Sequence, residues 1–164
     1  MKPFHIMAKP IGPICNLDCT YCYYLEKEKL FPKGENFKMT PEVMETYIQQ
    51  YIASQNTLEV TFAWQGGEPT LLGLEYFKKI VYFQKQHSGG RKINNTLQTN
   101  GTLLDDEWCA FFQEHDFLIG LSIDGPRKPV SYTHLDVYKR QPLTKRRGEF
   151  WLRQDGANGV GTPC

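Results

Sequence analysis

Leu58-Glu59-Val60-Thr61-Phe62-Ala63-Trp64-Gln65-Gly66-Gly67-Glu68-Pro69 is the stretch on which the reading of the fold turns. Leu58, Val60, Phe62 and Trp64 recur with a period of two, as in a strand that buries one face. At Gln65 the pattern breaks into glycine and proline, the residues that favour turns. Upstream, Thr40-Pro41-Glu42 reads as a helix start, with Thr40 as N-cap and Pro41 at the first helical position. Val43, Met44, Tyr47, Ile48, Tyr51 and Ile52 follow at helical spacing and predict one core-facing stripe. Downstream, Leu74, Phe77, Ile80 and Val81 mark a second helix that ends before Ser88-Gly89-Gly90. A third strand is predicted over residues 93–97. A third helix begins at Asp105-Asp106 and carries Trp108, Phe111 and Phe112. Residues 117–123 are nearly all apolar, which predicts a fourth strand buried on both faces. Met7-Ala8-Lys9-Pro10 reads as a short first strand. Strands separated by helix-length segments imply right-handed βαβ units, so the fold class is α/β with a parallel sheet of about four βα units.

The unusual residues then fall in one place. A cysteine-rich loop follows the first strand, and Gln65 to Pro69 follow the second. Gln98-Thr99-Asn100-Gly101 follows the third, and Ser122-Ile123-Asp124-Gly125-Pro126 closes the fourth. Every polar, glycine-marked cluster lies at the carboxyl end of a strand, the rim on which parallel barrels build their sites. Each cluster also has a plainer reading. Gly66 to Pro69 make a strand-to-helix turn, and Thr99, Asn100 and Asp124 are good turn and capping residues. His87 and His115 sit at helix ends, where the helix dipole accounts for them. Cys109, on the third helix, reads as a small buried side chain.

The first loop contains Cys15-Asn16-Leu17-Asp18-Cys19-Thr20-Tyr21-Cys22. Three thiolates at this spacing can hold three irons of a [4Fe–4S] cube and leave the fourth iron open. An open coordination position is where a metal site performs chemistry. Zinc is the alternative, but structural zinc takes four ligands, and Asp18 and His5 fit no familiar zinc spacing. Disulfides account for the loop less well, because three cysteines cannot all pair and Cys109 and Cys164 are distant in sequence.

At 164 residues the chain suffices for one domain with a core. Its longest apolar runs are too short to span a bilayer. The N-terminus carries no signal-peptide pattern, so a reducing, cytoplasmic setting is expected, with no membrane and no nucleic acid as partner. Charge divides the chain: residues 1–126 carry 11 basic and 15 acidic residues, whereas residues 127–164 carry 8 and 3. A basic tail can bind nucleic acid. Here the composition break reads more simply as two parts of different origin.

The C-x3-C-x-aromatic-C loop resembles that of the radical S-adenosylmethionine (SAM) superfamily. Taken with Trp64 to Leu71, Leu97 to Leu103 and Gly120 to Pro126, it resembles the anaerobic sulfatase-maturating enzymes in register over roughly residues 5–126. The resemblance implies the N-terminal part of a partial (β/α) barrel. It also implies a [4Fe–4S] cluster and SAM as cofactors, a 5′-deoxyadenosyl radical, and oxidation of a sulfatase Cys or Ser to Cα-formylglycine. Carried over by motif, Cys15, Cys19 and Cys22 bind the cluster. Tyr21, Gly66 and Ser122 contact SAM, Glu68 and Pro69 shape its pocket, and Gly67 and Asp124 belong to the same cofactor set. Tyr24, Gln65, Thr99 and Asn100 line the substrate side. The partners implied are a sulfatase polypeptide and an electron donor such as flavodoxin or ferredoxin.

The resemblance ends after Pro126. The family's remaining barrel units, its auxiliary clusters and its general base have no counterpart, nor has an arginine that helps to bind SAM. The expected domains are therefore a truncated core, 1–126, and a non-family tail, 127–164, disordered or artefactual, with a divergent native extension as the alternative. No catalytic base is assigned within the chain. Two other functions fit the cysteine loop: a different radical SAM peptide-modifying enzyme, and a non-catalytic iron–sulfur electron-transfer module. SAM binding separates the second from the enzymes.

Overall fold

The computed structural model describes residues 3–24, 26–32 and 34–122. The expected tail, 127–164, and the site residue Asp124 lie outside the described residues. Strands β1 (Met7–Ala8), β2 (Glu59–Trp64), β3 (Lys92–Thr99) and β4 (Phe117–Leu121) form one sheet in the order β1-β2-β3-β4. Every neighbouring pair is parallel. Helices α1 (Pro41–Ser54), α2 (Leu74–His87) and α3 (Asp106–Glu114) occupy the three connections. The expected α/β class with a parallel sheet is the one observed.

Local chemistry sets the helix starts. The Thr40 side chain accepts the amide of Val43, with Pro41 in the first turn, and Asp105 accepts the amide of Trp108 at 3.0 Å. Both relieve amides that have no partner within a helix's first turn. Helix α2 instead follows a 3-10 turn over Pro69–Leu72 and begins at Gly73, which contributes no side-chain cap.

One face of the sheet carries the core. Val60, Phe62 and Trp64 of β2, Leu97 of β3 and Phe117 of β4 pack with Met44, Ile48, Phe77, Ile80, Trp108 and Phe112 of the helices. A buried polar group ties strand to helix: Asn95 Oδ1 accepts from Trp64 Nε1 and from Gln84 Nε2, both at 2.8 Å, and Asn95 Nδ2 returns a bond to Gln84 Oε1 at 2.9 Å. Each buried amide thereby finds a partner, as burial requires.

Three expectations are corrected. Val43 is 54% exposed, so the stripe of α1 is narrower than its apolar residues suggest. Leu58 is 87% exposed and precedes β2, which begins at Glu59. The fourth strand ends at Leu121 and is not buried on both faces: Leu118 is 53% exposed. Leu118 lies with Thr96 and Gln98 on the face opposite the helices, and among the described residues β4 is also the edge strand of the sheet.

Candidate functional site

The carboxyl ends of the strands are laced together by backbone bonds. The Gln65 amide donates to the Ala8 carbonyl at 2.9 Å, which extends the pairing of β1 with β2. Beyond it the amides of Gly67 and Glu68 donate to the carbonyls of Gly12 and Ile14, each at 2.8 Å. The segment that leads into Cys15 is thus fastened to the glycine loop after β2. Two glycines permit this approach. Gly66 has φ +131° and would place a Cβ 2.8 Å from the Gly12 carbonyl oxygen. A Cβ on Gly67 would overlap the Ile14 carbonyl and stand 2.6 Å from that of Pro13. The Gly67 and Glu68 amides are therefore used inside the protein.

Glu68 is the second fastening. Its side chain is 1% exposed. Oε1 accepts from the Thr70 amide at 3.0 Å, the Thr70 hydroxyl at 2.5 Å and the Thr99 hydroxyl at 2.7 Å. Oε2 accepts from the Asn100 amide at 2.7 Å. A buried carboxylate is tolerable when such donors compensate its lost hydration. The carboxylate binds the β2 loop to the end of β3, and Pro69 is buried beside it as the 3-10 turn begins.

Of the two residues expected on the substrate side at the end of β3, Thr99 is buried and Asn100 half-buried. The Thr99 hydroxyl donates to Glu68 and accepts the Gly101 amide at 3.0 Å. The Asn100 side chain reaches the cysteine loop: Nδ2 lies 2.9 Å from Asn16 Oδ1 and 3.7 Å from Cys15 Sγ. Cys15, Glu68, Thr99 and Asn100 thus form one connected group, joined by two residues with no assigned role in the sequence reading, Asn16 and Thr102. Both stand within the quoted motifs, and their small polar side chains were the available signal.

Within the loop the Cys22 amide donates to the Cys19 carbonyl at 2.9 Å, closing a turn. Cys15 Sγ accepts the Leu17 amide and Cys22 Sγ the Tyr24 amide, each at 3.4 Å. The Cys15 thiol is pushed above its ordinary range, first by burial and further by the charges of Glu68 and Cys22, while the Leu17 amide and Asn100 oppose the shift. None of the four described cysteines is in a disulfide. Among the described residues no three His, Cys, Asp or Glu side chains close around a single metal ion. A cube, which seats each thiolate on its own iron, asks for no such convergence. Amide donors at two sulfurs suit thiolates that share in a cluster's negative charge.

The other expected residues stand around this group. Tyr24 is half-buried beneath Lys9, whose Nζ lies 5.0 Å from the ring centroid, and packs edge-on against Tyr23. Tyr21 is 51% exposed. Ser122 is exposed and its Oγ accepts from Gln98 Nε2 at 2.9 Å. The Gln98 side chain crosses Gly120, where a Cβ would overlap its amide oxygen. Gln65, Gln98, Leu118 and Gly120 are among the residues lining a shallow cavity of about 250 Å³ on the sheet face opposite the helices.

A parallel α/β sheet with a three-cysteine loop fastened to its rim defines a class, and residues 10–150 match the radical SAM superfamily. The chain belongs to that superfamily. The matched span runs past Pro126, where the sequence reading sets its boundary. Among curated proteins it is similar to the serine-type anaerobic sulfatase-maturating enzyme of Bacteroides thetaiotaomicron, 49% identical over 144 residues, covering 88% of this chain and 34% of that protein. It is also similar to the cysteine-type anaerobic sulfatase-maturating enzyme of Clostridium perfringens, 43% identical over 133 residues, covering 78% of this chain and 35% of that protein. A solved structure described as native anSMEcpe with bound AdoMet and Cp18Cys peptide superposes with a TM-score of 0.67 at 42% identity, covering 77% of this chain and 33% of that one. The chain spans about a third of the length of the relatives it matches.

Proposed function

We propose that this chain carries the cofactor-binding part of a radical SAM enzyme that oxidises a cysteine or serine of a sulfatase to Cα-formylglycine. The observation that carries the reading is the fastening of the cysteine loop to the rim by Gly67, Glu68 and Asn100, in a chain nearly half identical to sulfatase-maturating enzymes.

Cys15, Cys19 and Cys22 would hold three irons of a [4Fe–4S] cluster and leave the fourth for SAM. Bound there, the cluster and SAM would supply a 5′-deoxyadenosyl radical able to take a hydrogen atom from the substrate Cβ. The chain's own residues orient and enclose. With the Gly67 and Glu68 amides engaged by the cysteine loop, carbonyl oxygens of this turn are what it offers to a cationic amino group. Glu68 and Pro69 give the turn its shape. Ser122, steadied by Gln98, and Asp124 offer hydrogen bonds to the ribose or carboxylate, and Tyr21 flanks the last ligand. Tyr24 and Gln65 face the substrate, a sulfatase polypeptide, and a low-potential protein such as flavodoxin or ferredoxin supplies electrons. Among the described residues no helix is long and apolar enough to cross a membrane.

The test is anaerobic reconstitution with iron and sulfide, followed by SAM, a reductant and a sulfatase active-site peptide. The expected results are one cluster lost on alanine substitution of any of the three loop cysteines but kept in Cys109→Ala, a SAM-dependent change in the EPR spectrum, and formylglycine by mass spectrometry in the full-length protein. A cluster indifferent to SAM would return the assignment to an electron-transfer module. Turnover confined to an unrelated peptide would assign a different peptide-modifying enzyme.

A further inference from the structure

We propose that Asn100 is a positioning residue for the first cysteine of the loop: its side-chain amide donates to the Cys15 thiolate and raises the reduction potential of the cluster. The inference rests on the cluster assigned above.

The geometry fixes the orientation of the amide. Asn100 Oδ1 receives the Thr102 backbone amide at 3.0 Å and the Thr102 hydroxyl at 2.7 Å. A backbone N–H can only donate, so the oxygen of Asn100 must point to Thr102 and its NH2 group must point away. On that side stand Asn16 Oδ1 and Cys15 Sγ. Asn16 is itself held, because its Nδ2 donates to the Thr102 hydroxyl at 2.8 Å. Asn100, Asn16 and Thr102 therefore close a ring of hydrogen bonds, and turning the Asn100 amide over would set its NH2 against the Thr102 amide and its oxygen against Asn16 Oδ1. Below the ring, the Asn100 backbone amide is anchored on buried Glu68.

The sulfur of Cys15 thus meets a side-chain N–H in addition to the Leu17 amide. Reduction adds an electron whose charge spreads onto the thiolates, and donors to sulfur favour the more negative state. Asn16 makes the control: its Oδ1 faces Asn100 Nδ2 at 2.9 Å and also stands 3.8 Å from Cys15 Sγ, but an amide oxygen cannot donate to a thiolate, so its loss removes no donor and does not lower the potential. A purely structural role would make loss of either asparagine act alike, whereas loss of the donor shifts the potential only for Asn100.

The experiment is a redox titration, followed by EPR, of the reconstituted whole chain with Asn100→Leu, Asn16→Leu or no substitution. Asn100→Leu is expected to load iron as the unsubstituted chain does. Its reduced fraction at a fixed poise should fall by up to about tenfold, about 59 mV for one electron, with a much smaller change in Asn16→Leu. An unchanged midpoint in loaded Asn100→Leu, or equal shifts in the two variants, overturns the proposal. If Asn100→Leu takes up too little iron to titrate, Asn100→Ser replaces it, since a hydroxyl can still accept the Thr102 amide and adds no charge; an unchanged midpoint there overturns the proposal equally. Failure of the unsubstituted chain to form a cluster would overturn the assignment on which the proposal rests, a result distinct from an unaltered midpoint.

Discussion

Gly67→Ala isolates the contact that joins the two loops. The backbone of Gly67 is not in the left-handed region, so the need for glycine there is steric alone. The added methyl meets backbone atoms, the carbonyls of Ile14 and Pro13, which cannot turn aside as a flexible side chain could. Relief requires the loops to separate, and separation stretches the bonds from Gly67 to Gly12 and from Glu68 to Ile14. Two such bonds are worth about 1–3 kcal/mol together, and overpacking costs about 1–3 kcal/mol. The terms overlap, because parting the loops relieves the clash, so we expect a loss of about 2–4 kcal/mol, a large part of a domain's usual stability. Gly89→Ala is the comparison. Gly89 lies past the end of α2, ahead of the amino end of β3 and so at the opposite end of the strands from the site, with φ +57° and open space around it. Its cost is backbone strain alone, about 1–2 kcal/mol. Urea unfolding measures both losses, and iron uptake after anaerobic reconstitution separates them. Gly67→Ala should lose cluster binding in conditions where the chain is still folded, while Gly89→Ala should keep it. A Gly67→Ala chain within about 0.5 kcal/mol of the parent and fully loaded with iron would refute the argument.

Two further outcomes follow from buried groups. Glu68→Gln puts an amide NH2 where the carboxylate receives the Asn100 amide or the Thr70 and Thr99 hydroxyls, so the ligand-free chain should lose about 2 kcal/mol in urea unfolding; a carboxylate serving only to attract a ligand would leave that stability unaltered. Burial raises the phenols of Tyr47 and Tyr76 well above the ordinary tyrosine range. The unfolded chain releases these protons near pH 10 while the folded chain keeps them, so stability is unaffected below that pH and falls as the pH rises through it. Tyrosinate absorbance of the folded chain should accordingly lag that of the urea-unfolded chain, and superimposable titrations would refute the assignment.

What could be read from the sequence follows the range of the interactions involved. Period-two alternation in β2 and the Thr40-Pro41 and Asp105 starts are local, set by residues within a turn of one another, and the structure keeps them. The placing of polar clusters at strand ends survives too, because a parallel sheet puts all such ends on one edge. The apolar run of the fourth strand misleads, since composition reports what a face can bury and not whether a neighbour is present; Leu118 is the case. The site divides in the same way. The cysteines announce themselves by spacing. Glu68 does not, since a carboxylate beside a glycine turn looks like a hand held out to a cation, and only the approach of Thr99 and Asn100, over thirty residues away, turns it into a buried anchor. The same holds for Asn100, whose partner Cys15 is separated from it by 85 positions. Contacts of that length are made by the sheet, which brings the ends of β1, β2 and β3 side by side. The cysteine loop, with little regular structure of its own, takes its shape from strands it does not belong to, so a substitution at Gly67, Glu68 or Asn100 should be felt at the cluster before it is felt in the core.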